Sequence, residues 1–421
     1  MSFEINLGPL SDGLCGICIR FAGTTLTRLI RKGEDNYTEY LNAPPAALGD
    51  WLLHNWWRLR FEAFPPGPQD KPLGELPTAW RLAHDLRSID EGYRWPEAVI
   101  WGQGEHALAS AEPDPIGVTA PVRYVANTSK SEVQAAEFER GVDAFLDQLG
   151  SIGNLQEQVL ALRNERSNPE FAAWRRLEAK LGFDPDAAPD ELIEKLADLG
   201  KTYGEANIEE TAAAAPGLGA SNVLQAQIDQ ARSNVAWECR FAEAPTFPAE
   251  LDAPSSRQWE RAETTAAAVR NVIGVDDVLD DRRLADLCEV QVEAFSQHAA
   301  TRVPFGIRLR EPQQEAHRVV VRSRWREGRR FQFARAFGDH LFIQDSMEGG
   351  SLGPIADSTT ARQQFQRAFG AALLCPIENL RRFLPVEVPN QDDIEEAAEH
   401  FEVSPMLVKS TLQNHKIPLE A

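Results

Sequence analysis

Residues Arg329–Leu341, Arg-Arg-Phe-Gln-Phe-Ala-Arg-Ala-Phe-Gly-Asp-His-Leu, constrain the fold more tightly than any other stretch of this chain. Phe331, Ala334, Gly338 and Leu341 recur at steps of three and four residues, which puts them on one face of a helix. A helix with such a face has to pack against a second element. Arg335 and Asp339 stand four residues apart, so they too share a face.

Other segments fall into order around this helix. Phe369-Gly-Ala-Ala-Leu-Leu-Cys-Pro376 reads as a second helix ending at a proline. Upstream lie Trp259–Gly274, an amphipathic run, and Asp281-Arg-Arg-Leu-Ala-Asp-Leu-Cys288. Downstream, Ala398–Leu412 contains Phe-Glu-Val-Ser-Pro-Met-Leu-Val. Together these pieces resemble the ImmA/IrrE-like metallopeptidases over about residues 256 to 421. The family pattern at the first helix is Arg-Arg-Phe-x-x-Ala-His-Glu-x-Gly-His-x-Leu. Arg329, Arg330, Phe331, Ala334, Gly338 and Leu341 fit its scaffold, whereas Arg335, Ala336 and Asp339 stand where it has His, Glu and His.

The chemistry of such a site is strict. Two histidines at i and i+4 grip one zinc ion, and the glutamate acts as base toward the bound water. Arg335 is a permanent cation and ligates no metal. Ala336 accepts no proton, and Asp339 offers a single carboxylate. The resemblance places a third ligand, a glutamate, four residues before Phe369, where this chain has Phe365. It therefore implies a degenerate zincin-like domain with no cofactor. An Arg335–Asp339 ion pair is expected to close the former metal site, with Phe365 filling apolar volume there.

Length and composition bound the rest. A chain of 421 residues with 43% apolar content has material for two or three cored domains. No apolar run is long enough for a membrane span. The start, Met-Ser-Phe-Glu-Ile-Asn, does not read as a secretory signal, and five cysteines suit a reducing compartment, so a cytoplasmic location is expected. Cys15-Gly-Ile-Cys18 lies in a strand-like segment. Residues i and i+3 of a strand point to opposite faces, so structural cysteines are expected there, with a redox or metal role as the alternative.

The expected fold class is α+β, in several domains. The first, 1–125, is a tryptophan-rich α+β domain, with strand candidates at Ser2–Leu7, Gly16–Phe21, Thr25–Ile30, Tyr37–Leu41, Val99–Trp101 and Val118–Tyr124. Pro44-Pro45 opens a helix through about Phe61. Six of the ten tryptophans fall in this domain. They mark either a recognition pocket, with Trp56, Trp57 and Arg58 as binding candidates, or a tryptophan-rich core. Residues 126–243 read as helical, with helices over Glu132–Leu149, Pro169–Leu181 and Glu191–Leu199. The Phe183–Asp186 turn between them is expected to cap a helix, and Thr211–Ala220 to be flexible. A linker, 244–256, leads to the zincin-like domain, 257–385, opened by a capping box at Ser255 and Gln258. A helix-turn-helix-like tail, 386–421, is expected to pack on that domain.

Net charge is −21, which does not favour nucleic acid through the overall field. Residues 301–335 nevertheless hold ten arginines and three glutamates. Arg318, Arg322, Arg324, Arg326, Arg329 and Arg330 are binding candidates, for phosphates, for an acidic protein or for the chain's own carboxylates. Three functional readings result. The favoured one is a non-catalytic recognition, sensor or scaffold protein with a protein partner, in phage defence, mobile-element regulation or stress response. One alternative is a nucleic-acid-binding regulator using residues 302–335. The other is a metallopeptidase with a relocated site drawn from His317, Asp339 and His340, with Asp345 and Glu348 nearby. Gly349-Gly350-Ser351 is no nucleophile elbow, and Cys375 is expected in the core.

Overall fold

A computed structural model of the chain describes residues 2–9, 13–67, 71–89, 92–117, 119–149, 155–241, 257–297, 303–343, 350–384 and 386–420. These form fifteen α-helices and four small sheets, and every strand pairing among them is antiparallel, in keeping with an α+β class. No described helix is long and apolar enough to cross a membrane. The chain divides into two compact units. The first holds residues 1–193 with 216–218 and 358–360; the second holds 194–215, 219–357 and 361–421. The expected helical middle, 126–243, is thus shared between the two units. The expected linker and Ser255 lie outside the described residues.

The first unit opens with β1 (Phe3–Leu7) and β2 (Cys15–Phe21), then β3 (Thr24–Thr25), β4 (Leu29–Arg31), β5 (Tyr37–Thr38) and β6 (Leu41–Ala43). β2 pairs with β1, β3 and β6, while β4 lies between β5 and a later strand, β9 (Val122–Tyr124). Helix α1 (Pro45–Phe61) begins at the second proline, whose fixed φ and missing N–H suit the first turn. Next come α2 (Thr78–His84), then β7 (Ala98–Gln103), β8 (His106–Ala111) and β10 (Thr128–Gln134), the last three forming one sheet in the order β10-β8-β7. Helices α3 (Ala135–Leu149), α4 (Gln156–Ser167) and α5 (Pro169–Lys180) complete the unit. Trp51, Trp56, Trp57 and Trp95 belong to the same buried core as Phe3, Phe21, Phe138 and Phe145.

The division between units falls within α6 (Asp190–Tyr203). Helix α7 (Glu205–Ala214) covers the first part, 211–214, of the stretch expected to be flexible. It buries Ile208, Thr211, Ala212 and Ala213, and packing there overrides a composition of small residues. After α8 (Ala220–Arg232), a four-stranded sheet runs β11 (Trp237–Cys239), β13 (His317–Val320), β12 (Gly306–Arg310) and β14 (Ser351–Ile355). Around it lie α9 (Gln258–Val272), α10 (Asp281–Cys288), α11 (Arg326–Phe342), α12 (Ala361–Leu374) and α13 (Ile377–Phe383). The tail is α14 (Gln391–His400), opened by an Asn390/Asp393 capping box, and α15 (Pro405–Asn414). Ile394, Phe401, Val408 and Leu412 of the tail share one core with Phe333, Phe337 and Phe369, so the tail packs on the α11–α12 region as expected.

Candidate functional site

Helices α11 and α12 lie face to face against the sheet, and their shared face is polar at its centre. Asp339 is fully buried and accepts four hydrogen bonds. Arg362 of α12 grips it with a fork, Nε to Oδ1 at 2.6 Å and Nη2 to Oδ2 at 2.8 Å. Arg308 of β12 donates Nε to Oδ2 at 3.0 Å, and Gln366 donates Nε2 to Oδ1 at 2.7 Å. The remaining donors of the two arginines are also placed. Arg308 reaches His317 Nδ1 at 2.9 Å and Ser351 Oγ at 3.1 Å; Arg362 reaches Asn207 Oδ1 at 2.7 Å and the Leu352 carbonyl at 3.2 Å. Gly353 on β14 makes the room, because a Cβ there would stand 1.9 Å from Asp339 Oδ2.

The electrostatics follow from this geometry. Burial by itself would raise the Asp339 carboxyl, but Arg362 and Arg308 outweigh it and hold the group well below the usual carboxylate range. Burial, with the Arg308 guanidinium and His340 beside it, pushes His317 down to about 2. His317 is therefore neutral, and since Arg308 is the donor in their contact, Nδ1 is the acceptor and the proton sits on Nε2. Arg335 is buried between α11 and α12 and donates Nη2 to the Ala356 carbonyl and to Gln363 Oε1, the latter at 2.7 Å. Burial and the nearby Arg367 lower it to about 9, so it stays charged at neutral pH.

Two expectations are corrected here. Arg335 does not pair with Asp339. The carboxylate is taken by Arg308 and Arg362, which approach from the sheet and from α12, and Arg335 turns to neutral acceptors. Phe365 does not fill the place between the replaced positions either. It packs on Phe342 and Phe369, while Gln366, one residue further on and so about 100° around the helix, bonds both Asp339 (2.7 Å) and Arg335 (3.4 Å). Ala336 is buried in the apolar core.

The residues expected for a relocated metal site are brought together only in part. His317 and His340 do come together, with ring centroids 5.1 Å apart, and Phe241 packs against both. Between His317 and Asp339, however, stands the Arg308 guanidinium, hydrogen-bonded to each. A divalent cation there would face a fixed positive charge in a buried setting. Asp345 and Glu348 lie outside the described residues. Ser351 is buried and serves Arg308, and Cys375 is a core thiol pushed up to about 12 by burial.

The arginine-rich segment is largely turned inward. Arg318 donates to the Ala231 and Ser233 carbonyls, and Arg322 pairs with Asp357. Arg326 pairs with Asp281 and Glu402, as does the buried Arg330, and Arg329 donates to the Ala294 carbonyl. Arg324 alone of the six is exposed with no partner among the described residues. In the first unit, Trp56 and Trp57 are 2% and 4% exposed. Trp56 stacks on Phe138, Trp57 donates to Glu165, and Arg58 is held by Glu62 and Asp184. These candidates build a core rather than a surface pocket. Cys15 and Cys18 are both buried and free.

Sequence reasoning missed Arg308, Arg362 and Gln366. A charged residue inside the apolar run Phe305-Gly-Ile-Arg-Leu was the available signal for Arg308. Compared with known proteins, the chain matches no family model, no curated protein and no solved structure.

Proposed function

We propose that the second unit is a degenerate zincin-like domain of the ImmA/IrrE kind, and that the protein works by recognition, as a sensor or scaffold, rather than by proteolysis. Two features support the reading. The helices α9, α10, α11, α12 and the tail follow one another in the order that the resemblance implies. Positions 335 and 339 both face α12, as paired ligands of one centre do. The observation that carries the functional conclusion is the pairing of Asp339 with Arg308 and Arg362. Two guanidinium groups occupy the space around the Asp339 carboxylate, and both of its oxygens are taken up by hydrogen bonds, which leaves it without the basicity and access to activate water. Phage defence, mobile-element regulation and stress response are the settings implied by the resemblance.

The experiment pairs metal analysis of the full-length chain with a digestion assay on a mixed peptide library. Recognition without chemistry gives no cleavage above background, with or without added zinc. Zinc-dependent cleavage abolished by Asp339→Asn would defeat the reading. The nucleic-acid alternative has little to draw on, because five of its six arginines are engaged within the chain.

A further inference from the structure

The loop leading into α11 holds an exposed tryptophan on a fixed support. Trp325 is 77% exposed. The backbone N–H groups of Arg322 and Ser323 both donate to Gln332 Oε1 on α11, at 2.6 and 3.1 Å. The Ser323 hydroxyl accepts from the Trp325 N–H and donates to its carbonyl, each at 3.2 Å. Gly328 leaves space for that hydroxyl, since a Cβ there would stand 2.1 Å from it. A single exposed apolar side chain is ordinary; what sets Trp325 apart is its place on ordered backbone at the rim of a charged groove.

Trp325 borders a groove of about 780 Å³ that the first turn of α11 shares with α14 and the start of α15. The buried Ala398 and Val403 lie beneath it, and its walls carry four glutamates, Glu327, Glu395, Glu399 and Glu402, against one arginine, Arg326. Glu402 is neutralised by Arg326 and Arg330. Glu327 and Glu399 have no partner among the described residues, and the exposed Arg324 beside Trp325 offsets only part of this charge. An indole face is the strongest aromatic acceptor of a cation, and uncompensated carboxylates next to it favour the same guest. The same carboxylates repel phosphates at the N-terminal end of α15, where a helix-turn-helix would contact bases.

We propose that this groove docks a polypeptide segment bearing lysine or arginine beside an apolar residue, with the cation over Trp325 and beside the carboxylates of Glu327 and Glu399. The inference deepens the recognition reading and rests on it for the existence of a protein partner. The test is fluorescence anisotropy of the full-length chain with a labelled synthetic peptide alternating leucine and arginine. A leucine–glutamate peptide and a single-stranded oligonucleotide run alongside. The arginine peptide alone is expected to bind saturably, and Trp325→Ala to weaken it about ten-fold. Trp325→Ala leaves the net charge at −21, so its effect is separate from attraction by the whole chain. Glu327→Gln combined with Glu399→Gln is expected to weaken binding and flatten its salt dependence. Both variants should keep the wild-type melting temperature, because the altered side chains are not in the core. Equal binding to wild type and Trp325→Ala overturns the proposal. So does absence of arginine-peptide binding at low salt, or tighter binding of the oligonucleotide. Each of these results leaves the metal and digestion measurements, and the reading they test, untouched.

Discussion

Asp339→Asn removes one charge from the centre of the second unit and almost no volume. Both carboxylate oxygens are in use: Oδ1 accepts from Arg362 Nε and Gln366 Nε2, and Oδ2 from Arg362 Nη2 and Arg308 Nε. Whichever way an asparagine amide is turned, its NH₂ faces two donors. Two bonds to charged or buried donors are lost, and two buried guanidinium groups lose the Asp339 counter-charge. Each unsatisfied buried group costs about 1–3 kcal/mol, more when charged, and breaking a buried ion pair costs about 3–5 kcal/mol. Hydrogen exchange read by mass spectrometry on residues 326–342 and 361–374 measures this locally, so the two units need not unfold together. The expected rise in the open population is roughly two to four decades, from those energies. Asp357→Asn is the comparison, because its pair with Arg322 is largely exposed and is worth at most about 1 kcal/mol. An Asp339→Asn effect no larger than that of Asp357→Asn would refute the buried-network reasoning.

Further outcomes follow from the same geometry. His317 is depressed to about 2 in the fold against about 6.5 unfolded, so the unfolded chain binds the extra proton. Stability is full above pH 6.5 and falls as pH drops below it, by up to about 1.4 kcal/mol per pH unit. His317→Gln should flatten the pH 5–7 slope of urea midpoints, and an unchanged slope counts against a neutral buried His317. Asp339, depressed below its ordinary value, contributes stability above about pH 4 that is lost only under stronger acid. Gly353→Ala should disturb the network as severely as Asp339→Asn, since the new methyl meets the carboxylate; wild-type exchange in α11 would contradict that. Trp56→Ala should cost about 3–5 kcal/mol of first-unit stability, as for a core aromatic, measured by urea unfolding. A cost under about 1 kcal/mol, typical of surface changes, would return Trp56 to the list of binding candidates.

The parts of the fold written in local pattern were legible. β1, β2, α1, α5 and α6 lie where alternation, helical spacing and proline placed them, to within a few residues. The failures were tertiary. β10, Thr-Ser-Lys-Ser-Glu-Val-Gln, has little apolar alternation and is a strand because it pairs along β8. α7 owes its order to burial. In the candidate site, the α11 face carrying Arg335 and Asp339 was readable from spacing. Their true partners were not, since Arg308 and Arg362 stand 31 and 23 residues from Asp339 in sequence. Gln366 was missed because the family resemblance directs attention to position 365, one residue earlier and about 100° away around the helix.

Metal content most directly tests a centre filled by guanidinium groups. Full-length protein is dialysed against zinc, freed of excess and analysed by mass spectrometry, alongside Asp339→Asn and His317→Ala. With Arg308 and Arg362 seated on Asp339, zinc should stay well below one per chain in all three and leave the melting temperature unmoved. One zinc per chain in the wild type, lost in either variant, would contradict it.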